Sequence, residues 1–171
     1  LSHPVFAASH ADDGDLDLGA TRTRRMFLLE PDPRRGADIA VTFTSGATEA
    51  IAAATWGAVR RAVDAGRVPH IVAGAVEHSA VRQSSATFAE AFGGSVTTVG
   101  VDRAGRVDPD EVLDAVTPGT ALVQLQWGNH EVGTVQPVAE VVAACREREV
   151  LVHVDAAQAA GRVPLDLDGL G

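Results

Sequence analysis

Asp155 and Gln158 stand three residues apart in the segment His153-Val154-Asp155-Ala156-Ala157-Gln158, directly behind the apolar run Val150–Val154. That run reads as a buried strand, so the acid falls at its carboxyl end, where ligands collect in α/β folds. A carboxylate held there suits one task, pairing with the protonated nitrogen of a heteroaromatic ring. Such a ring points to pyridoxal phosphate. The composition pulls the other way, because all 14 basic residues are arginine and none is lysine. The chain therefore offers no side-chain primary amine to anchor an aldehyde cofactor covalently.

Three more clusters carry chemistry. Thr44-Ser45-Gly46-Ala47-Thr48-Glu49-Ala50 joins an apolar run to a helical pattern. A glycine turn feeding a helix N-terminus presents outward N–H groups and the positive end of the helix dipole, which together suit a phosphate. Ordinary capping, with Ser45 as N-cap and Thr48 satisfying the turn, accounts for the same residues equally well. Glu77-His78-Ser79-Ala80-Val81 follows a second short apolar run. A histidine at a strand end is placed to stack on a planar ligand or to move protons near neutral pH, although a helix-capping histidine is the commoner case. His70 precedes the same run and belongs on the opposite side of the sheet, without a role. In the loop Trp127–Pro137, Asn129 and His130 are hydrogen-bond donors, and two glycines permit close backbone approach. Each cluster has a bland explanation; a pocket for an anionic ligand with a planar cationic ring uses all four.

The elements needed to position these residues are legible from residue 38 onward. Strands are expected over Ile39–Phe43, Ile71–Ala75, Ser95–Val101, Ala121–Leu125 and Val150–Val154. Helices are expected over Ala47–Ala65, Ser79–Phe92, Asp108–Val116 and Val138–Glu149, with glycines and prolines as stops. This alternation implies an α/β fold, a mostly parallel sheet flanked by helices on both faces. Residues 1–37 read differently. Residues 1–20 are acidic and glycine-rich and are expected to form a loop or arm, followed by a short helix around Gly19–Leu29, with Pro31-Asp32-Pro33 breaking the chain.

Bulk properties narrow the class further. The 171 residues are 46% hydrophobic but only 4% aromatic, which describes a globular core of small side chains. A net charge of −9 argues against nucleic-acid binding, since no basic stripe exists to displace counterions. No apolar run reaches membrane-spanning length. The single cysteine precludes an internal disulfide and implies a cytoplasmic setting by default. Metal ligation has no signature here.

Taken in order, the motifs Phe43–Ala50, Glu77–Val81, Asn129–Pro137 and His153–Gln158 resemble those of cysteine desulfurases. These are members of the class V aminotransferase family, whose fold is fold type I of pyridoxal phosphate enzymes. The match covers roughly residues 38–171. The resemblance implies sulfur removal from L-cysteine, giving L-alanine and an enzyme persulfide, for iron–sulfur clusters or tRNA thiolation. It further implies that Ala47 and Thr48 hold the cofactor phosphate and that His78 stacks on the ring and assists proton transfer. Asp155 would pair with the ring nitrogen, and Gln158 and His130 would bond the ring oxygen. His130 stands where the family commonly has a second asparagine.

On this resemblance, residues 1–37 form an N-terminal arm and short helix, without the family's opening strand. Residues 38–171 form an incomplete large domain, and a C-terminal small domain is absent. The anchoring lysine and the sulfur-accepting cysteine belong beyond Gly171; Cys145 lies on an apolar helix stretch and reads as structural. The expected partners are a second copy or a complementing chain, and a sulfur-acceptor scaffold protein. An inactive part of a desulfurase, another class V aminotransferase or lyase, and a lysine-free pseudoenzyme all remain compatible with these residues.

Overall fold

Four consecutive strand–helix units bring the carboxyl ends of their strands to one edge of a single sheet. The computed structural model describes residues 5–9, 26–32, 38–166 and 170. In chain order the elements are β1 Val5–Ser9, β2 Met26–Asp32, β3 Asp38–Thr44, α1 Ala47–Asp64, β4 His70–Gly74, α2 Ser79–Glu90 and β5 Ser95–Val99. They continue with α3 Pro109–Asp114, β6 Thr120–Gln126, α4 Val138–Glu147 and β7 Val152–Asp155. The sheet runs β3-β2-β1-β7-β6-β4-β5. From β5 through β4, β6 and β7 to β1 every pairing is parallel. β2 is antiparallel to β1 and to β3, so two reversals leave β3 pointing the same way as β7. The expected mostly parallel sheet with helices on both faces is therefore present.

Alternation along the strands divides the core. Val72, Val123, Leu125, Val152 and Val154 share a cluster with Val112 of α3 and Val138, Val141, Val142 and Cys145 of α4. On the other face, Ile71 and Leu122 meet Ala58 and Val59 of α1 and Ala89 of α2. α1 forms because its buried residues Ala50, Ile51, Thr55, Ala58, Val59 and Ala62 recur at helical spacing. It stops at Gly66, whose φ of 72° suits a residue without Cβ. β6 is buried along its whole length. Within it, Gln124 donates to Ser85 Oγ at 2.6 Å and to Thr55 Oγ1 at 3.2 Å, while its Oε1 has no partner among the described residues.

The N-terminal reading needs correction. A short helix was expected around Gly19–Leu29, but Met26–Leu29 belong to strand β2; residues 19–25 lie outside the described residues. Pro31 and Asp32, taken as a break, continue β2, whose Pro31 pairs with Ile39. An opening strand was not expected, yet Val5–Ser9 forms β1 beside β7. Strand pairing overrides weak local preference in both segments, because neighbouring strands supply the hydrogen bonds that the local sequence does not advertise. The acidic cluster at Asp12, Asp13, Asp15 and Asp17 lies outside the described residues.

The link from α2 to β5 is sterically tight. Gly94 donates to the Ala89 carbonyl at 2.8 Å. A Cβ there would lie 1.9 Å from the Pro69 carbonyl oxygen, which itself accepts the Ser95 N–H at 3.1 Å. Gly94→Ala should therefore destabilise the fold by about 3 kcal/mol through forced backbone displacement. Urea unfolding checks this, and a loss under about 0.5 kcal/mol would show that the turn relaxes freely.

Candidate functional site

β7 ends in Asp155, which is only 7% exposed. Its Oδ1 accepts the Ala157 N–H at 3.0 Å, and its carbonyl accepts the Trp127 N–H at 2.8 Å. Burial pushes this carboxyl above the ordinary carboxylate range. The Ala157 N–H, then the charges of His78 and His130, pull it back down. A cationic group placed against it would do the same more strongly, so this position favours a cationic partner.

His78 is the N-cap of α2. Its Nδ1 accepts the Ala80 N–H at 3.2 Å, which leaves the proton of the neutral ring on Nε2. His130 stands across from it in the β6–α4 loop, with ring centroids 6.3 Å apart and planes inclined at 54°. Both rings are exposed and both act on the buried Asp155. Three of the residues singled out from sequence thus form one cluster.

α1 enters the same region. Ala47 and Ala157 each pack against a small apolar cluster of Ala50, Ile51, Ala80 and Val81, joining the starts of α1 and α2 to the turn after β7. The N-cap is Gly46, not Ser45, and no side chain caps the helix. Glu49 instead turns back to take the Ser45 N–H at 2.7 Å as well as its hydroxyl. The Ser45 hydroxyl, then its N–H, hold the Glu49 carboxyl below its ordinary value. Among the described residues, the first-turn amides of Ala47 and Thr48 have no protein acceptor. Thr48 itself is exposed.

Gln158 is exposed, and its side-chain and main-chain oxygens both accept from Arg162 Nη1. Asn129 Oδ1 accepts the Glu131 and Val132 amides of its own loop at 2.9 and 3.0 Å, and its Nδ2 reaches the Val76 carbonyl at 3.4 Å. A cavity of about 850 Å³ opens beside the histidines, its walls including His78, Ser79, Arg82, Arg103, Asn129 and His130. His70 lies at the other end of β4, bonded to Thr120 and Thr97 hydroxyls at 2.8 Å each, as expected of a residue without a site role. Cys145 is fully buried and burial pushes its thiol up to about 11, so it is no nucleophile at neutral pH.

Reasoning from sequence missed the buried polar groups beneath the cleft. Glu77 is 2% exposed and its Oε1 accepts the Gln126 N–H at 2.8 Å. Gln126 Nε2 donates to the Val76 carbonyl at 2.7 Å. His153 is fully buried, and neither ring nitrogen has a hydrogen-bond partner among the described residues. The available signal was a polar residue inside or flanking an apolar run, which is costly to bury without purpose. Among the described residues no group of three or more His, Cys, Asp or Glu is placed to hold a metal ion. None of their helices is long and apolar enough to cross a membrane.

The fold and the cleft define the α/β class used by fold-type I pyridoxal phosphate enzymes. Residues 36–171 match the model of the aminotransferase class-V family, and the chain belongs to that family, which is pyridoxal phosphate-dependent. It is 38% identical over 162 residues to the cysteine desulfurase IscS of Neisseria meningitidis, covering 94% of this chain and 38% of that protein. It is 35% identical over 164 residues to the human cysteine desulfurase, covering 95% and 34% respectively. Among solved structures it resembles DndA from Streptomyces lividans, at a TM-score of 0.67 and 36% identity, over 75% of this chain and 35% of that one. It also resembles SspA in complex with cysteine, at a TM-score of 0.64 and 27% identity, over 72% and 35%. The chain spans little more than a third of the curated relatives it matches.

His153 supplies a test of the buried electrostatics. Burial lowers its pKa from an ordinary 6.5 to about 4. The folded chain then binds this proton less readily than the unfolded chain. Stability from the neutral ring is complete above about pH 6.5 and is lost progressively as pH falls toward 4, amounting to about 3 kcal/mol. Glu77 and Asp155 titrate in both proteins, so the difference between wild type and His153→Leu isolates the ring. The urea stability of wild type relative to His153→Leu should fall by about 3 kcal/mol from pH 7 to 4; parallel curves would mean that the ring titrates normally.

Proposed function

We propose that this chain forms the cofactor-binding part of a cysteine desulfurase that holds pyridoxal phosphate. The observation that supports this most is a buried carboxylate at the end of β7, whose following turn packs through Ala157 on the same small apolar cluster as Ala47 at a helix start with open amides. The two ends of the cofactor, a cationic ring nitrogen and a phosphate, need that pair of partners. The residues present therefore fit its non-covalent demands, while none of the 171 residues is a lysine.

Bound there, pyridoxal phosphate supplies an electron sink for bond breaking at an amino acid's α-carbon. Asp155 accepts the ring N–H and keeps the ring charged. The Ala47 and Thr48 amides, with the Thr48 hydroxyl, hold the phosphate. His78 forms one wall against the ring and presents the Nε2 proton set by its bond to Ala80. His130 donates to the ring oxygen. Gln158 joins it there on leaving Arg162. L-Cysteine is the substrate we assign, with L-alanine as product and the sulfur passing to a cysteine thiolate as a persulfide. Cys145 is enclosed and protonated, so the acceptor cysteine is another residue.

In this reading residues 38–171 belong to the large domain, and the lysine and acceptor cysteine come from a further segment or a complementing chain. The functional unit is a homodimer or such a complement in the cytoplasm, handing sulfur to a scaffold protein for iron–sulfur clusters or tRNA thiolation.

Titration of the chain with pyridoxal phosphate, followed by absorbance, tests the site. Asp155→Ala should weaken retention by roughly a hundredfold, about 3 kcal/mol for a lost buried ion pair, and Thr48→Val by several-fold. Equal binding by wild type and Asp155→Ala would refute the assignment. With cofactor and cysteine, the 171 residues alone should form alanine no faster than free cofactor does, because they lack an amine to exchange the substrate. Turnover above that background would overturn the lysine requirement.

A further inference from the structure

We propose that Glu77 is a positioning residue of the cleft: its buried carboxyl, seated on the Gln126 N–H, locks the turn carrying His78 against the end of β6 and so sets where the His78 ring stands. The contacts form a reciprocal brace. Glu77 Oε1 accepts the backbone N–H of Gln126 at 2.8 Å, while Gln126 Nε2 returns to the Val76 carbonyl at 2.7 Å. Asn129 Nδ2 reaches the same carbonyl at 3.4 Å, and Arg82 donates to the Glu77 carbonyl. Gly74 leaves room for the carboxyl, since a Cβ there would lie 3.1 Å from Glu77 Oε1. His78 follows Glu77 directly, and His130 follows Asn129 directly. The two rings are therefore carried on opposite halves of one brace, which holds their centroids 6.3 Å apart.

The surroundings of the brace disfavour a charge on its carboxyl. Glu77 Oε2 has no partner among the described residues. Burial, and after it the charge of Asp155, keep the carboxyl protonated well above its ordinary range against the pull of the Gln126 N–H and Arg82. A second full negative charge beside Asp155 would be offset only by Arg82, whose pull is smaller than the cost of burial. Glutamine matches this acid in length, neutrality and acceptor oxygen, whereas methionine keeps the length and removes the acceptor.

The purpose of the brace rests on reading the cleft as a cofactor site, but its geometry is measurable in the cofactor-free chain. Imidazole proton resonances of His78 and His130 are assigned with His78→Gln and His130→Gln, and the cross-relaxation peak between the two rings is recorded. Glu77→Gln should retain that peak. Glu77→Met should lose it with an unchanged far-ultraviolet circular dichroism spectrum, and should retain pyridoxal phosphate roughly tenfold less well, as for one lost buried hydrogen bond. Gln126→Met removes the return bond with Glu77 in place, and should also lose the peak should Glu77→Met fail to fold. Retention of the peak in a folded Glu77→Met, or its loss in Glu77→Gln, would overturn the proposal. A wild-type chain that shows the peak but takes up no pyridoxal phosphate would sink the cofactor reading and leave the brace standing.

Discussion

Two carboxyl groups lie within each other's field at the edge of this sheet, Glu77 fully enclosed and Asp155 nearly so, and burial raises both above the ordinary carboxylate range. Desolvation raises both groups, and the compensation they receive differs. Asp155 has the Ala157 N–H and the charges of two histidines, whereas the more deeply buried Glu77 has a single amide on one oxygen, no hydrogen bond on the other among the described residues, and the weaker pull of Arg82. The charged form is therefore less disfavoured at Asp155 than at Glu77. Glu77 is left to fasten the turn between β4 and α2 to β6. The cleft depends on this asymmetry, because a charge shared equally would be both costly and unselective.

The parallel sheet makes that arrangement available. β4, β6 and β7 run together, so the turn bearing His78, the loop bearing His130 and the end bearing Asp155 emerge on one side. β3 joins them only through the two reversals at β1 and β2, and with it comes the start of α1. Small side chains at Ala47, Ala80 and Ala157 then let the two helix starts and the β7 turn come together. Bulk at any of these contacts would separate the open amides from the carboxylate. The alanine-rich composition thus has a local consequence, since close backbone approach is what a ligand with a phosphate at one end and a ring at the other requires.

Legibility differed sharply along the chain. From Asp38 onward each strand and helix was readable to within a few residues, since apolar runs and helical spacing agree there with glycine and proline stops. Residues 5–9 and 26–32 were not, because acidic and proline-rich flanks mask short strands that exist only by pairing with β7 and β3. Ser45 looked like the cap of α1 by residue type, yet Gly46 occupies that position. Glu49 is near enough in sequence to draw the serine back. Asn129 reads as a ligand donor by type, but its Nδ2 turns to the Val76 carbonyl of the adjacent turn while its Oδ1 takes two amides of its own loop, pairings that residue type does not reveal. Glu77 and Gln126 escaped notice because their importance lies in a contact across 49 residues of chain.

The amino-acid order by itself determined which residues form strands and helices from residue 38 to 155, and that a carboxylate, histidines and a glycine turn fall at their ends. It also determined that no lysine stands among them and that Cys145 sits on an apolar helix face. These are short-range matters of period, turn chemistry and residue type. Tertiary structure alone decided at which of the two acids charge is less disfavoured, how far apart the two imidazoles stand, and that the N-terminal residues complete the sheet. Those outcomes depend on burial and on hydrogen bonds between distant segments, and both come into being only when the strands pair.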